Sequence, residues 1–179
     1  MMRRNNFPFS AVLGLNHAKT AILVVLVNPR AGGLLISGPR GIGKSTLMRS
    51  TQELIERPWR DIPVSVTEDR LFGTIDTEKA IYSGQKKLYP GIINEADQGV
   101  LYLDDANLLR EDLLDSILDI AEVGMYQLER DGLSLRCDTS FTVIAAINPE
   151  SGMLSGACLD QFGLFVNVDN IHDENTRVE

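Results

Sequence analysis

Cysteine, histidine and tryptophan are scarce in this chain of 179 residues: two Cys, two His and one Trp, with aromatic residues at 6%. Cys137 and Cys158 stand apart, in no CxxC or Cys/His spacing, which argues against a zinc site or a disulfide framework and fits a reducing, cytoplasmic compartment. His17 and His172 have no ligand spacing either, so surface or capping roles suit them. Positive charge is short: 17 Lys and Arg against 25 Asp and Glu leave a net charge of -8. That balance disfavours general affinity for nucleic acid or anionic lipid, because phosphate binding draws on clustered Lys and Arg. Long apolar runs are missing too. AILVVLV at 21–27 is too short to span a membrane, and Asn16, His17 and Lys19 before it and Pro29-Arg30 after it rule out a twin-arginine signal opening at Arg3-Arg4. There are no internal repeats and no low-complexity tract.

What the chain does have is hydrophobic content of 44%, enough for one well-buried core and too little length for two ordinary domains. Its charge is segregated. The first 60 residues hold nine Lys and Arg against two Asp and Glu, and the remaining 119 hold eight against 23. Such polarity suits a protomer whose basic face meets a neighbour's acidic face, and it equally suits a segregated solvated surface.

Apolar runs and helical periodicities alternate along the chain. Residues 15–27 read as a helix ended by Asn28-Pro29, GLLIS at 33–37 as a short buried strand, and 44–57 as a helix stopped by Pro58. VLYLD at 100–104 reads as a second strand, and LLREDLLDSILDIAEV after it as an amphipathic helix through Leu113, Leu114, Ile117, Leu118 and Ala121. FTVIAAIN at 141–148 and LFVNV at 164–168 read as two more strands, and the polar tail 171–179 follows a core of 1–170. Strands alternating with helices imply an α/β three-layer fold around a parallel sheet. YQLERDGLSLRC, two alternating segments around Asp131-Gly132, reads as a β-hairpin. Trp59 beside Pro58 reads as packing.

GPRGIGKS at 38–45 matches G-x-x-x-x-G-K-[ST] in full, directly after a strand and opening a helix, the context a phosphate-binding loop requires. Residues Gly38, Pro39, Arg40, Gly41, Ile42, Gly43, Lys44, Ser45 and Thr46 form the candidate cradle. The glycines let backbone N–H groups converge on phosphate oxygens, and the helix N-terminus adds partial positive charge. Lys44 would reach the β and γ phosphates, and Ser45 would place its hydroxyl on Mg²⁺. A ligand-free glycine turn is the plain alternative. Asp104, ending a neighbouring buried strand, would hold Mg²⁺ through water, and Asp105 stands where a carboxylate could orient an attacking water. Asp105 also fits a helix N-cap. Asn148 is a polar candidate beside the γ phosphate, and it also fits a turn residue before Pro149.

GPRGIGKST, GVLYLDDANLL and AAINPESG, in that order, resemble an AAA+ ATPase. FPFSAVLG at 7–14, TEDRLFGTIDTEKAIYSGQKKLYPGII at 67–93 and LERDGLSLR at 128–136 narrow the resemblance to the ATPase (I) subunit of magnesium chelatase, over about residues 7–168. The resemblance implies that these three segments are an entry segment near the adenine, a helix-2 insert and a hairpin before the sensor-1 strand. It implies a ring-forming ATPase using ATP and Mg²⁺, a partner with a von Willebrand-type domain, and a large subunit that holds the porphyrin. By matching positions, Lys44 and Ser45 take the phosphate and magnesium roles, Asp104 the Walker B role and Asn148 the sensor-1 role.

Three departures from the family pattern bear on catalysis. The Walker B pair is Asp104-Asp105 where the family has Asp-Glu. LDQFG at 159–163 places Gln161 where the family has an arginine that meets a neighbouring subunit's ATP. The sequence stops at Glu179, where the family continues into a helical lid with a second sensor arginine, so no lid is expected. The reading is therefore an ATP-binding module that couples MgATP binding, and slow hydrolysis, to metal insertion into a tetrapyrrole by partner subunits. The alternatives are a non-catalytic scaffold subunit, or a MoxR-like or cobalt-chelatase-type ATPase acting on another partner. Lys79, Lys86 and Lys87 fit a solvated loop or a ring's pore, and the lone basic tip residue Arg130 argues against DNA remodelling.

Overall fold

The structure is a computed structural model that describes residues 7–75, 88–130 and 132–169. The insert lysines Lys79, Lys86 and Lys87, as well as Asp131, His172 and the tail 171–179, lie outside the described residues.

Helix α1 (Asn16–Val27) leads into strand β1 (Leu34–Ser37), and the phosphate-loop segment opens helix α2 (Lys44–Gln52). Strand β2 (Trp59–Ile62) precedes α3 (Glu68–Phe72), the short pair β3 (Gly73–Ile75) and β4 (Leu88–Pro90), and α4 (Ile92–Glu95). Strand β5 (Val100–Leu103) is followed by α5 (Glu111–Val123) and the hairpin β6 (Met125–Arg130) and β7 (Leu133–Asp138). Strand β8 (Thr142–Ile147), α6 (Gly156–Asp160) and β9 (Leu164–Asn167) complete the described chain.

Five strands form one sheet in the order β2-β5-β8-β1-β9, with every pairing parallel. Alternation along each strand divides the core between the two faces. Leu34 and Ile36 of β1, with Val100 and Tyr102 of β5, pack with Ala18, Ile22 and Val25 of α1 and Leu47 and Met48 of α2. Leu35, Leu101 and Leu103 point the other way, onto Leu113, Leu114 and Ile117 of α5. The expected three-layer α/β arrangement is what forms. All strand C-termini point to the same edge, where ligands of such folds bind.

The structure adjusts the expected element bounds. Helix α2 ends at Gln52, not Arg57. The Ser50 and Thr51 hydroxyls both donate to the Leu47 carbonyl, each at 2.7 Å, competing with the last helical turn, and the Arg57 guanidinium donates to the Leu26 carbonyl at 2.6 Å, drawing the chain back toward α1. That reversal frees Trp59 to enter the sheet as the start of edge strand β2, paired with Val100, so its role goes beyond side-chain packing. Helix α5 starts at Glu111, not Leu108, because Ala106–Leu108 form a 3₁₀ turn and Leu109 is extended. Glu111 and Asp112 then complement the helix dipole, and Gly124 closes the helix in the left-handed region.

In the hairpin, Arg130 pairs with Leu133, leaving two residues for the turn, and Gly132 has φ +76° as a primed turn requires. The hairpin is tied to the 67–93 segment at its base. The Tyr126 hydroxyl lies 2.7 Å from the Phe72 carbonyl and 2.7 Å from the Asn94 carboxamide oxygen, and its ring centroid is 5.9 Å from that of Phe72. Burial pushes this phenol's pKa up, so it stays a donor. Tyr126→Phe should cost about 1–2 kcal/mol by removing the donor shared by those acceptors, of which the Asn94 oxygen keeps the Gly91 N–H at 3.3 Å. For a chain of this size that lowers Tm by roughly 2–8 °C. An unchanged Tm by calorimetry would contradict the tie.

Candidate functional site

The loop between β1 and α2 sits at the C-terminal edge of the sheet, anchored where the Gly38 N–H donates to the Ile147 carbonyl at 3.2 Å. Gly38 must be glycine here: a Cβ would stand 2.5 Å from the Val168 carbonyl and 2.6 Å from its methyl. Gly43, at φ +92°, turns the chain into α2. At Gly41 a Cβ would meet nothing within 4 Å, so the loop's inner side opens into a cleft of about 430 Å³. Residues 40, 41 and 43–46 line it, together with Asp104 and Asp105. Seven expected site residues are thereby gathered around one space, besides Asp105.

Lys44 is buried, with its ammonium 2.5 Å from the Gly38 carbonyl and 2.8 Å from that of Pro39. Burial holds its pKa below the ordinary lysine value, against the pull of Asp105 and Asp104. Gly38 and Pro39 thus serve through their carbonyls. Ile42 is turned to packing, against the α1 and α2 side of the core.

Strand β5 delivers the acids. Tyr102 and Asp104 are two residues apart, hence on the same face as α2, and the Ser45 hydroxyl donates to Asp104 Oδ2 at 3.0 Å across 59 residues of sequence. The Tyr102 hydroxyl donates to Asp104 Oδ1 at 2.9 Å, and its pKa is pushed up by burial and then by the charge of Asp104. Asp105 adopts the left-handed region, φ 51° and ψ 49°, and makes no side-chain cap to the turn that follows. The N-cap alternative is therefore not what the geometry shows. Aspartate is among the non-glycine residues that most readily take that region, and Leu15 and Gln98 take it here too.

Asn148, after β8, is 2% exposed. Its carboxamide oxygen accepts from the Glu150 N–H at 3.2 Å and its amide donates to Ser151 Oγ at 3.2 Å, so it holds the turn through Pro149, and it does not line the cleft. Asn107 joins this turn to the acid pair: its amide donates to the carbonyls of Asn148, at 3.2 Å, and Gly152, at 3.0 Å. Neither Tyr102 nor Asn107 was singled out from sequence, although both lie within VLYLDDANLL.

Gln161 ends α6 at the opposite edge of the sheet. It lines a cleft of about 610 Å³ with Gly33, Thr142 and Val143, at the starts of β1 and β8, and its carboxamide oxygen is buried with no partner among the described residues. The four residues of β1 alone put roughly 13 Å between this cleft and the phosphate loop. Gln161 cannot serve its own chain's loop. His17 lines a cleft of about 320 Å³ with Leu15, Asn167 and Val168, beside the start of the phosphate loop. Among the described residues no group of three or more His, Cys, Asp or Glu side chains could hold a metal by itself, and no helix is long and apolar enough to cross a membrane.

A loop of this pattern after a strand flanked on both sides, with a hydroxyl–carboxylate contact to a neighbouring strand's end, defines a P-loop nucleotide-binding core. The chain belongs to the AAA domain family (dynein-related subfamily), whose model matches residues 33–161. It is 37% identical to the magnesium-chelatase 38 kDa subunit of Cereibacter sphaeroides, over 97% of this chain and 62% of that protein. It is 34% identical to a magnesium-chelatase subunit ChlI homolog of Methanocaldococcus jannaschii, over 100% of this chain and 59% of that one. A structure of the complex between subunits BchI and BchD of magnesium chelatase, based on a single-particle cryo-EM reconstruction, superposes with a TM-score of 0.84 at 37% identity, covering 98% of this chain and 65% of that one. The chain thus spans about three fifths of the length of these curated relatives.

Proposed function

We propose that this chain binds MgATP at residues 38–46, and that it holds the nucleotide far better than it hydrolyses it. The bound state would be passed through an oligomeric ring to partner subunits that insert a metal into a tetrapyrrole. The observation that carries the nucleotide reading is the Ser45–Asp104 contact at 3.0 Å. A serine hydroxyl and a carboxylate meeting at the mouth of the loop are the two groups that would share one Mg²⁺, Ser45 directly and Asp104 through water. The donor set, hydroxyl and carboxylate oxygens, suits that ion. ATP and Mg²⁺ use goes with the AAA family, and calorimetry should find nucleotide affinity strengthened by Mg²⁺. No nucleotide binding in either condition would end the reading.

Each residue then has a task. Backbone N–H groups of 41–45 would receive the phosphates, and Lys44 would leave the Gly38 and Pro39 carbonyls for the β and γ phosphates. The bound MgATP supplies the phosphoanhydride bond. Asp105 would orient the attacking water, and Asn148, which holds its own turn beside the cleft, would have to shift to bring its remaining amide hydrogen to the γ phosphate. The cleft beside Leu15 and Val168 would take the base. Two observations favour holding over breaking: Asp105 is one methylene shorter than the family's glutamate, and Gln161 carries no charge.

The ring and the partners rest on relatives: one solved neighbour is a complex of subunits BchI and BchD. A partner with a von Willebrand-type domain, a large porphyrin-holding subunit and a cytoplasmic setting belong to this same proposal. The chain should self-associate or join a longer homologue in the presence of nucleotide, through its basic first third and acidic remainder, and the association should weaken with salt. A strictly monomeric mass by light scattering at low salt and high concentration would contradict it.

A further inference from the structure

We infer that Tyr102 is a positioning residue for the magnesium site, holding Asp104 by one oxygen so that the other faces Ser45. This rests on the nucleotide reading above. Asp104 lies just past the end of β5, where the ladder no longer fixes the backbone beyond Leu103, and a free aspartate there has several rotamers to choose from. Its two oxygens are instead divided: Oδ1 accepts from Tyr102 at 2.9 Å and Oδ2 from Ser45 at 3.0 Å.

The tyrosine can impose that division because it is itself immobile. It is 5% exposed, its β5 backbone is paired with Asp61 on one side and Ile144 on the other, and its ring centroid lies 6.0 Å from that of Trp59. The phenol has one proton to give, and Asp104 is where it goes. A second cleft, of about 430 Å³, is lined by Trp59, Tyr102 and Asp61 and shares Ser45 and Asp104 with the phosphate cleft. Without the tyrosine hydroxyl, Asp104 could swing into this space and away from the metal position. Hydrogen bonds behind a metal-binding group matter at about 10- to 100-fold in metal affinity.

The test is Tyr102→Phe, which keeps the ring and removes only the bond, with Mn²⁺ as the probe, read by electron paramagnetic resonance in the presence of ADP. Nucleotide affinity in EDTA is measured alongside. Tyr102→Phe should bind nucleotide without metal as the parent does and lose about 10-fold or more in Mn²⁺ affinity of the nucleotide complex. Trp59→Phe, which keeps an aromatic ring beside Tyr102 and leaves the Tyr102 hydroxyl, should retain Mn²⁺ affinity within about 3-fold, well short of that loss. Equal Mn²⁺ affinity in Tyr102→Phe and parent would overturn the inference and leave the nucleotide reading intact. So would an equal loss in Trp59→Phe, or a parallel loss of metal-free nucleotide affinity, since either marks general packing. A parent that binds no nucleotide overturns both readings.

Discussion

Replacing Lys44 with alanine should strip this chain of its nucleotide while leaving it folded. The ammonium is buried at the head of the loop and pulled toward Asp104 and Asp105, yet among the described residues it bonds to two carbonyls of the loop itself. Those carbonyls are weaker partners than phosphate oxygens, whose bonds to a charged donor are charge-assisted and contribute about 1.5–3 kcal/mol each. Losing contacts to two phosphates should therefore weaken binding by roughly 100-fold or more, at a factor of ten per about 1.4 kcal/mol. The loop itself should survive, since Gly38 remains bonded to Ile147 and the Leu47 N–H to the Gly43 carbonyl at 2.8 Å. Calorimetry with a melting curve on the same sample separates the two effects. Unchanged affinity in a folded Lys44→Ala chain would remove the basis for placing phosphates at residues 38–46.

The second large effect is a gain. Asp105→Glu together with Gln161→Arg should raise turnover by about 100-fold or more while changing nucleotide affinity much less. Binding and hydrolysis draw on different groups: the loop amides, Lys44 and Ser45 act on the ground state, whereas Asp105 and a charge at position 161 act where charge develops in the transition state. A water-orienting group misplaced by roughly 1 Å can cost about 100-fold, and an arginine at a γ phosphate contributes about 10³ to 10⁵. These effects act on one transition state and do not simply multiply, so the smaller figure is the commitment. The geometry adds a condition. Gln161 lies at the sheet edge opposite its own phosphate loop, so any rescue by Gln161→Arg must act on a neighbouring chain and should grow with protein concentration, whereas Asp105→Glu alone should not. Rescue independent of concentration would contradict the trans placement.

How much of this was legible in the sequence varied with the kind of signal. The four strands LLIS, VLYL, TVIAAI and LFVN are short apolar runs flanked by turn or helix signals, and all lie in the sheet. Trp59–Ile62 was missed because an edge strand shows burial only at its ends, Trp59 and Ile62, with exposed Arg60 and Asp61 between them, so four residues carry no readable alternation. The P-loop was legible because its chemistry is local: one run of nine residues contains the glycines, the lysine and the hydroxyl. Tyr102 and Asn107 were not, because their work is done by hydrogen bonds to atoms whose positions depend on how β5 meets α2 and on how the turn after β8 returns. Asn148 fitted two roles from sequence, and the structure shows its side chain occupied by the turn. Asp105 lost its capping alternative to a backbone angle that no composition rule predicts.

The central claim, that the nucleotide is held and not broken, meets its most direct test in a single-turnover experiment on this chain in excess over γ-labelled ATP with Mg²⁺. The account predicts that the label stays in protein-bound ATP with a half-life of about a minute or longer, hydrolysis running at about 0.01 per second or slower, well below the ordinary enzymatic range of about 1–10³ per second. Tight capture followed by release of labelled phosphate at about 1 per second or faster would contradict it, and would require a charge other than position 161 to be acting at the γ phosphate.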